Sequence, residues 1–355
     1  MISDPQSTTS PKSVQIFNPI DHSGWDDQLK NFSQNSFFHS TAWLRVLHET
    51  YGFRPIAIAI GNPERPRALL VTMEINSWLT GKRGISLPFT DACEPLFSEP
   101  ADLDELYKSA LSIAAQRNWR TLEIRAGTGH PKNQTPSLRH YTHHLDLRSD
   151  PQELFKSFSS SNRRAIRKAE CSDLEVHRSQ SLRNLKSFYY LLCLTRKRHG
   201  LPPQPWSFFQ AIHKHILSQG RGSLFIASHR LKPVAGALFL HPGNTAIYKF
   251  GASDGNFQAM RPNNLVMWSA IKFFAQNNYR ALDFGRTSLG NKGLRRFKLG
   301  WGSTEQTIPY IRHNIQSQTI EIQSDQTQGW HNQIFKILPT QLSRLAGQLL
   351  YKHVA

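Results

Sequence analysis

SLFIASHRLKPVAGALFLHPGNTAIYKFGAS (223–253) holds three apolar runs, SLFIASH, VAGALFL and TAIYKFGAS, separated by RLKP and HPGN. Runs of this length, with Pro, Gly and Asn between them, read as three consecutive antiparallel strands. The helix LVMWSAIKFFAQNN (265–278) and the strand ALDFG (281–285) follow them. Two helices precede them: LRNLKSFYYLLCLTRKRHG (182–200), ending in basic residues and glycine, and WSFFQAIHKHILSQG (206–220). The first half runs in the same order. TAWLRVLHETYG is a helix, with Ser40 or Thr41 as N-cap and Gly52 as stop. PIAIAI (55–60) and ALLVTMEI (68–75) are strands joined by the turn GNPERPR, and a helix over about 101–118 leads to the strand TLEIR (121–125). HHLDL (143–147) is a further strand. Asp150, Pro151 and Glu153 then open a helix that runs to about Glu170.

Helix, antiparallel strands, helix, strand thus occurs once in each half, as a repeat of element order rather than of residues. The expected fold is α/β (α+β): two similar domains with mixed, mostly antiparallel sheets, at 14–147 and 148–318. Residues 1–13 read as a disordered tail, and 319–355 as a C-terminal extension with an amphipathic helix.

Apolar residues make up 39% of the 355, enough for a core in each half and too many for a disordered chain. The net charge of +18 attracts polyanions such as nucleic acid, nucleotide-sugar diphosphates, coenzyme A or anionic lipid, without choosing among them. Three isolated cysteines with no CxxC pair argue against a disulfide framework and fit a reducing compartment. The sixteen histidines include no HExxH; His213 and His215 diverge on a helix, so no metal site is expected. The start, MISDPQSTTSPKS, lacks the apolar run of a secretory signal. No apolar stretch of about 18 residues suggests a transmembrane helix. A cytoplasmic protein is expected, with peripheral contact at the inner face of the membrane as a further possibility.

Four segments carry candidate chemistry. In SSSNRRAIRKAE, Arg163 and Arg167 lie four apart, as do Arg164 and Lys168, so both pairs stack along a helix with no acid between them. An anion would relieve that repulsion, and a solvated basic face is the plain alternative. The loop DGNFQAMRPNN (254–264) offers Arg261 and Asn264 for an anion, with Asn264 equally suited to cap the next helix. In LDFGRTSLGNKGLRRFKLGWG (282–302), Asp283 is an acid within an apolar strand and needs partners or a raised pKa. Arg286, Arg295, Arg296 and Lys298 are near enough in sequence to supply partners. Lys298 is expected on a strand-like segment facing Asp283 across a cleft, with Phe297, Trp301 and Tyr310 as pocket lining or simple core. Last, LPTQLSRLAGQLLYK gathers Leu342, Leu345, Leu349 and Leu350 on one face of a basic helix, to dock on its own domain or rest on an anionic membrane.

TRKRHGLPPQPWSFF, YKFGASDGNFQAMRPNNLVMWSAI and LDFGRTSLGNKGLRRFKLGWG followed by PYI together resemble the Fem-like acyltransferases. This group of the N-acetyltransferase (GNAT) superfamily includes the proteins that accompany exopolysaccharide and PEP-CTERM gene clusters. FHSTAWL (38–44) is similar to the group's first-domain motif, and SSSNRRAIRKAE to the segment that opens the second domain. The resemblance spans about 36–311. It implies two tandem GNAT-like domains and amide formation by attack of an amine on an activated acyl group. The donor would be a co-substrate, acyl-CoA or aminoacyl-tRNA, with no tightly bound cofactor. The acceptor would be the amine of an anionic cell-wall or exopolysaccharide precursor. The long helical arm of some Fem enzymes is absent, and the glycines that hold the pyrophosphate of coenzyme A in acetyltransferases are missing from 254–264.

On this reading Asp283 is the base and Lys298 its catalytic partner. Lys298 and Arg286 position anionic parts of the substrate, and Tyr248, Arg261 and Asn264 are further substrate-binding residues. Arg163, Arg164, Arg167 and Lys168 bind a phosphate-rich substrate such as tRNA. Phe297 and Trp301 line the second-domain side of the cleft, and Trp43 and Phe38 the first. The rival reading is a non-catalytic module gripping tRNA or an anionic polysaccharide.

Overall fold

A computed structural model describes residues 14–126, 135–325 and 330–353, so the tail at 1–13 lies outside the described residues. The strands of the first half are β1 (Val14–Phe17), β2 (Arg54–Asn62), β3 (Arg65–Ser77), β4 (Gly81–Ile85), β5 (Leu96–Phe97), β6 (Thr121–Arg125) and β7 (Leu138–Asp146). Its helices are α1 (Trp25–Gln28), α2 (Thr41–Tyr51) and α3 (Pro100–Gln116). The second half contributes α4 (Pro151–Ser157), α5 (Ser160–Glu170), β8 (Glu175–Ser179), α6 (Leu182–Arg198), α7 (Trp206–Ile212) and the strands β9 (Gly222–His229), β10 (Lys232–Leu240) and β11 (Thr245–Ser253). There follow α8 (Pro262–Gln276), β12 (Ala281–Ser288), α9 (Lys292–Leu299), β13 (Thr304–Asn314), β14 (Thr319–Ile320), α10 (Trp330–Ile337) and α11 (Thr340–Leu350).

The strands form one sheet in the order β1-β2-β3-β4-β6-β13-β7-β12-β11-β10-β9-β8. It is mixed and mostly antiparallel; its parallel pairs are β4–β6 and β11–β12. Each half supplies a run of four antiparallel strands, then a parallel neighbour. The strand after that neighbour comes from the other half of the sequence. β13 lies against β6, with Tyr310 opposite Arg125, and β7 lies against β12, with Leu282 opposite Leu145. β13 and β7 also pair with each other from Thr304–His144 to Tyr310–Leu138, so the sheet passes unbroken across the turn at 147–150.

The cores follow the same plan. α3 covers one face of the first half through Leu106, Ala110 and Ile113, and α8 covers the second through Val266, Ile271 and Phe274. A third cluster is shared: Trp43 and Leu47 of α2 meet Phe208 and Ile212 of α7, with the Trp43 and Phe208 rings edge-on at 6.0 Å.

Three expected elements come out differently. The helix expected from Asp150 to Glu170 is two helices. Phe158 turns extended (ψ 152°) to bury its ring between Trp268 and Trp301, and the Ser159 hydroxyl accepts the Asn162 N–H to start α5. Asn264 does not cap α8. Pro262 opens that helix after Arg261 in the left-handed region (φ 59°), and the Asn264 amide instead donates to Asn162 of α5. Lys298 stands not on a strand but on α9, because Asn291 accepts the Leu294 N–H and so nucleates a helical turn.

Candidate active site

β11 and β12 pair only from Thr245–Ala281 to Ile247–Asp283 and then part. β11 continues against β10, and β12 bulges between Asp283 and Arg286 to continue against β7. The wedge between them begins beside Asp283. β4 and β6 likewise pair over only three residues. The chain then leaves β4 through Leu87 and Phe89, both at positive φ (61° and 58°), and carries Asp91 to the wedge in the second half.

Gly285 makes that approach possible. Its φ is +70°, and a Cβ there would stand 3.0 Å from the Asp91 carboxylate. Asp91 Oδ1 accepts the backbone N–H of Arg286 (3.2 Å), and Oδ2 accepts from Lys249 Nζ (3.3 Å). Lys249 also donates to the Phe89 carbonyl (2.6 Å) and lies over the rings of Phe38 and Trp43 at 4.9 and 5.4 Å. Lys298 is 2% exposed and donates to the carbonyls of Gly285 (2.7 Å) and Arg286 (2.9 Å). Asp283 Oδ1 accepts the Gly285 N–H (2.7 Å) and lies 3.5 Å from the Thr142 hydroxyl, with His144 Nδ1 at 3.9 Å. Its Oδ2 has no hydrogen-bond partner among the described residues, and the side chain keeps 21% exposure. One turn of β12 backbone therefore gathers two carboxylates and two ammonium groups.

Their charges are tuned apart. Burial pushes the Asp283 carboxyl above its ordinary value and Asp91 adds to the shift, against the opposing pull of His144, the Gly285 N–H and Lys298. Burial also raises Asp91, but Lys249, Arg286 and Lys298 outweigh it and leave that carboxyl low. Burial brings Lys298 down to about 8 despite Asp91 and Asp283. Lys249 is lowered by burial too, with Asp91 opposing. A carboxylate with one unengaged oxygen and a raised pKa is equipped to take a proton. Two of the three Lys298 donors are spent on the carbonyls of Gly285 and Arg286, which fixes β12 where it leaves β11.

Asp283 and Lys298 thus meet through one peptide segment. Arg286 stands beside them: its guanidinium donates to the Tyr310 hydroxyl (3.1 Å) and lies over that ring. Tyr310 in turn donates to the Asp91 carbonyl. Tyr248 packs at the wedge against Phe239 and Phe284, and burial pushes its hydroxyl up to about 12. The aromatic lining needs correction. Trp43, Phe38 and Trp301 are 0%, 2% and 0% exposed, so they are core and present no face to a ligand. Trp43 and Phe38 support Lys249 from below. Phe297 is half-buried against Trp301.

The basic helix divides. Arg163 donates to the carbonyls of Lys156 and Phe158 and so closes the end of α4. Arg164, Arg167 and Lys168 are exposed, with Arg167 over the Phe155 ring. Arg261 is exposed at the start of α8, apart from the charged cluster. Between the first turn of α5 and α9 lies a groove of about 500 Å³ lined by Ser159, Ser161, Lys292, Arg295, Arg296, Leu299 and Gly300.

Asp91 and Lys249 escaped the sequence reading. Lys249 carried the signal that marked Asp283, a charge within an apolar strand, whereas Asp91 sits in an ordinary loop motif, PFTDACEP.

A GNAT acetyltransferase domain model matches residues 156–303. The lipid II:glycine glycyltransferase of Staphylococcus haemolyticus is 22% identical over 222 residues, covering 43% of this chain and 53% of that protein. That of Staphylococcus epidermidis is 22% identical over 218 residues, covering 42% and 52%. The chain spans about half the length of the curated relatives it matches. Among solved structures, FemX superposes with a TM-score of 0.63 at 16% identity, covering 83% of this chain and 96% of that one. A tandem GNAT protein of clavulanic acid biosynthesis superposes at 0.53 and 10% identity, covering 85% and 99%. Residues 156–303 are thus similar to a GNAT acetyltransferase domain, the chain is distantly similar to lipid II:glycine glycyltransferases, and its fold is that of FemX and of the tandem GNAT protein.

Proposed function

We propose that the protein transfers an acyl or aminoacyl group to an amine of a cell-wall precursor, forming an amide at the wedge between β11 and β12. The observation that carries this reading is the Asp283 carboxylate, raised by burial and with Oδ2 unengaged, beside the desolvated Lys298. The amine nitrogen attacks the activated carbonyl, and Asp283 Oδ2 takes the proton the nitrogen loses. The Lys298 ammonium, buried behind the Gly285 and Arg286 carbonyls, supplies positive charge near the oxygen that gains charge. When the tetrahedral species collapses, the bond to the leaving atom, the oxygen of an aminoacyl ester or the sulfur of a thioester, breaks and the proton on Asp283 passes to it. Asp91 and Lys249 hold the β12 backbone and the neighbouring loop in this arrangement.

Aminoacyl-tRNA is the donor favoured by this surface. The loop 254–264 is a 3-10 turn over Gly255–Met260 that leads into Arg261 and Pro262, without a glycine-rich phosphate cradle. The groove at Lys292, Arg295 and Arg296 suits a phosphate backbone instead. Donors of this kind belong to the cytoplasm, and the acceptor class extends to amine-bearing exopolysaccharide precursors. The same loop is what favours the second reading, a non-catalytic grip on tRNA or anionic polysaccharide.

One assay separates the two. Purified protein is incubated with a set of labelled aminoacyl-tRNAs, or with acetyl-CoA, and amine-bearing muropeptide precursors, and the product is read by mass spectrometry. The proposal expects a precursor heavier by one acyl or aminoacyl residue, lost in Asp283→Asn. tRNA binding with no product from any pair would leave the binding module.

A further inference from the structure

α11 is seated the wrong way round for a helix that simply completes its own domain. Its buried residues are Ser343 and Gly347, four apart, and it lies so close to the chain at 202–203 that a Cβ on Gly347 would stand 2.0 Å from the Pro203 carbonyl oxygen. The leucines face away. Leu342, Leu345 and Leu349 share one side of the helix and are 51%, 54% and 56% exposed. A surface helix normally buries its apolar stripe.

A second segment meets the same end of the helix. The turn between β3 and β4 presents Trp78 at 86% exposure and Leu79 at 54%. That turn is tied to the chain just beyond α11. Ser77 Oγ lies 2.9 Å from His353 Nδ1, Thr80 and Arg83 donate to the His353 carbonyl, and the Trp78 and His353 rings are 5.5 Å apart. Two remote exposed apolar segments are thus tied together through His353. The surroundings are basic: Arg344, with its guanidinium over the Tyr189 ring, and Lys352 are exposed, and residues 326–355 contain no Asp or Glu.

We infer that the Trp78 turn and the leucine face of α11 form a membrane-docking surface for a bilayer with anionic headgroups. Exposed leucines beside an exposed tryptophan suit the interfacial zone, where an indole has one apolar and one wet side. Arg344 and Lys352 beside the stripe, with no acid among residues 326–355, match anionic lipid and not neutral lipid. A second copy of this chain would bring the same cations against each other. The surface also reaches the candidate site. The Tyr351 ring, one residue past α11, lies 5.6 Å from Phe89, whose carbonyl accepts from Lys249 in the loop that delivers Asp91. A docked molecule would therefore hold that loop near the bilayer, where a lipid-linked acceptor resides. Docking itself does not depend on which donor the site uses.

The test is flotation of the purified full chain with phosphatidylcholine vesicles, with and without phosphatidylglycerol. Binding is expected to the mixed vesicles and to weaken with salt. Leu345→Ser and Leu349→Ser are each expected to weaken partition about tenfold, and Lys352→Gln about fivefold. Trp78→Ser should weaken it as well. Because these side chains are exposed, melting temperatures should stay at the wild-type value, which separates lost docking from lost folding. Equal binding to both vesicle types, or binding unchanged in the leucine variants, would overturn the inference. So would a dimer in sedimentation equilibrium that the same substitutions dissolve while the wild type ignores vesicles. Acyl transfer with soluble precursor should be unaffected by Leu345→Ser, so failure of docking and failure of the transferase reading register separately.

Discussion

Asp283 and Lys298 make opposite predictions because burial moves their protons in opposite directions. The Asp283 pKa is raised in the folded protein, so its contribution to stability is fully present below the unfolded value and is lost as pH rises through the folded one. Above the folded value the ionised side chain is therefore a net cost. Asp283→Asn, which keeps the volume and an oxygen for the Gly285 N–H, should melt no lower than wild type there. Its turnover should fall roughly 10²–10⁴-fold, the usual worth of a positioned proton acceptor. Early melting with full specific activity would assign Asp283 to structure alone. Lys298 is brought down to about 8, and only its protonated form carries the charge that favours a developing oxyanion. The pH–rate profile should accordingly carry a falling limb near 8 that disappears in Lys298→Met. Gly285→Ala forces a side chain into φ +70° and against the Asp91 carboxylate. A cost of about 1–2 kcal/mol for the backbone alone is expected by thermal melting, with a larger loss of turnover as Asp91 is displaced.

At the level of elements, the site depends on short helices whose starts are set by single side chains. α9 has eight residues, begins where Asn291 accepts the Leu294 N–H, and carries Lys298 in its last turn. Asn291→Ala should cost about 1 kcal/mol of stability and lower turnover together, since the helix that aims Lys298 loses its cap. Arg163 gives a contrasting case. It was read as an anion ligand, yet it closes α4 through the carbonyls of Lys156 and Phe158. Arg163→Ala should lower the melting temperature with little change in the salt dependence of tRNA binding. Lys292→Ala and Arg296→Ala, on the groove beside α9, should flatten that dependence, because each phosphate contact removed lowers the slope of log K against log salt by about 1. Unchanged slopes in the groove variants would move the polyanion elsewhere.

The whole molecule behaves as a unit because its halves exchange strands and share a core. β13 lies between β6 and β7, and Trp43 of the first half packs edge-on against Phe208 of the second. Calorimetry should show one unfolding transition for the full chain. Segments 1–147 and 148–355 made separately should aggregate, since each keeps unpaired strand edges and half of the shared cluster. Two independent transitions, or two soluble folded halves, would contradict this.

What was legible in the residues is what depends on local pattern. The three strands of 223–253, the helix after them, Ser40 as N-cap and Gly52 as stop all rest on alternation, turn chemistry and capping, which act over a few positions. Asp283 was legible for a related reason, because an acid in an apolar strand must find partners wherever the strand ends up. Those partners were decided only by the tertiary structure. Asp91 stands almost two hundred residues from Gly285 and meets it because two splayed strand pairs and two left-handed loop residues bring it there. The place of β13 between β6 and β7 is likewise a matter of edges supplied from far along the chain. The orientation of α11 was equally out of reach: its leucine stripe is plain in the sequence, but only the close approach of Gly347 to Pro203 turns that stripe toward solvent.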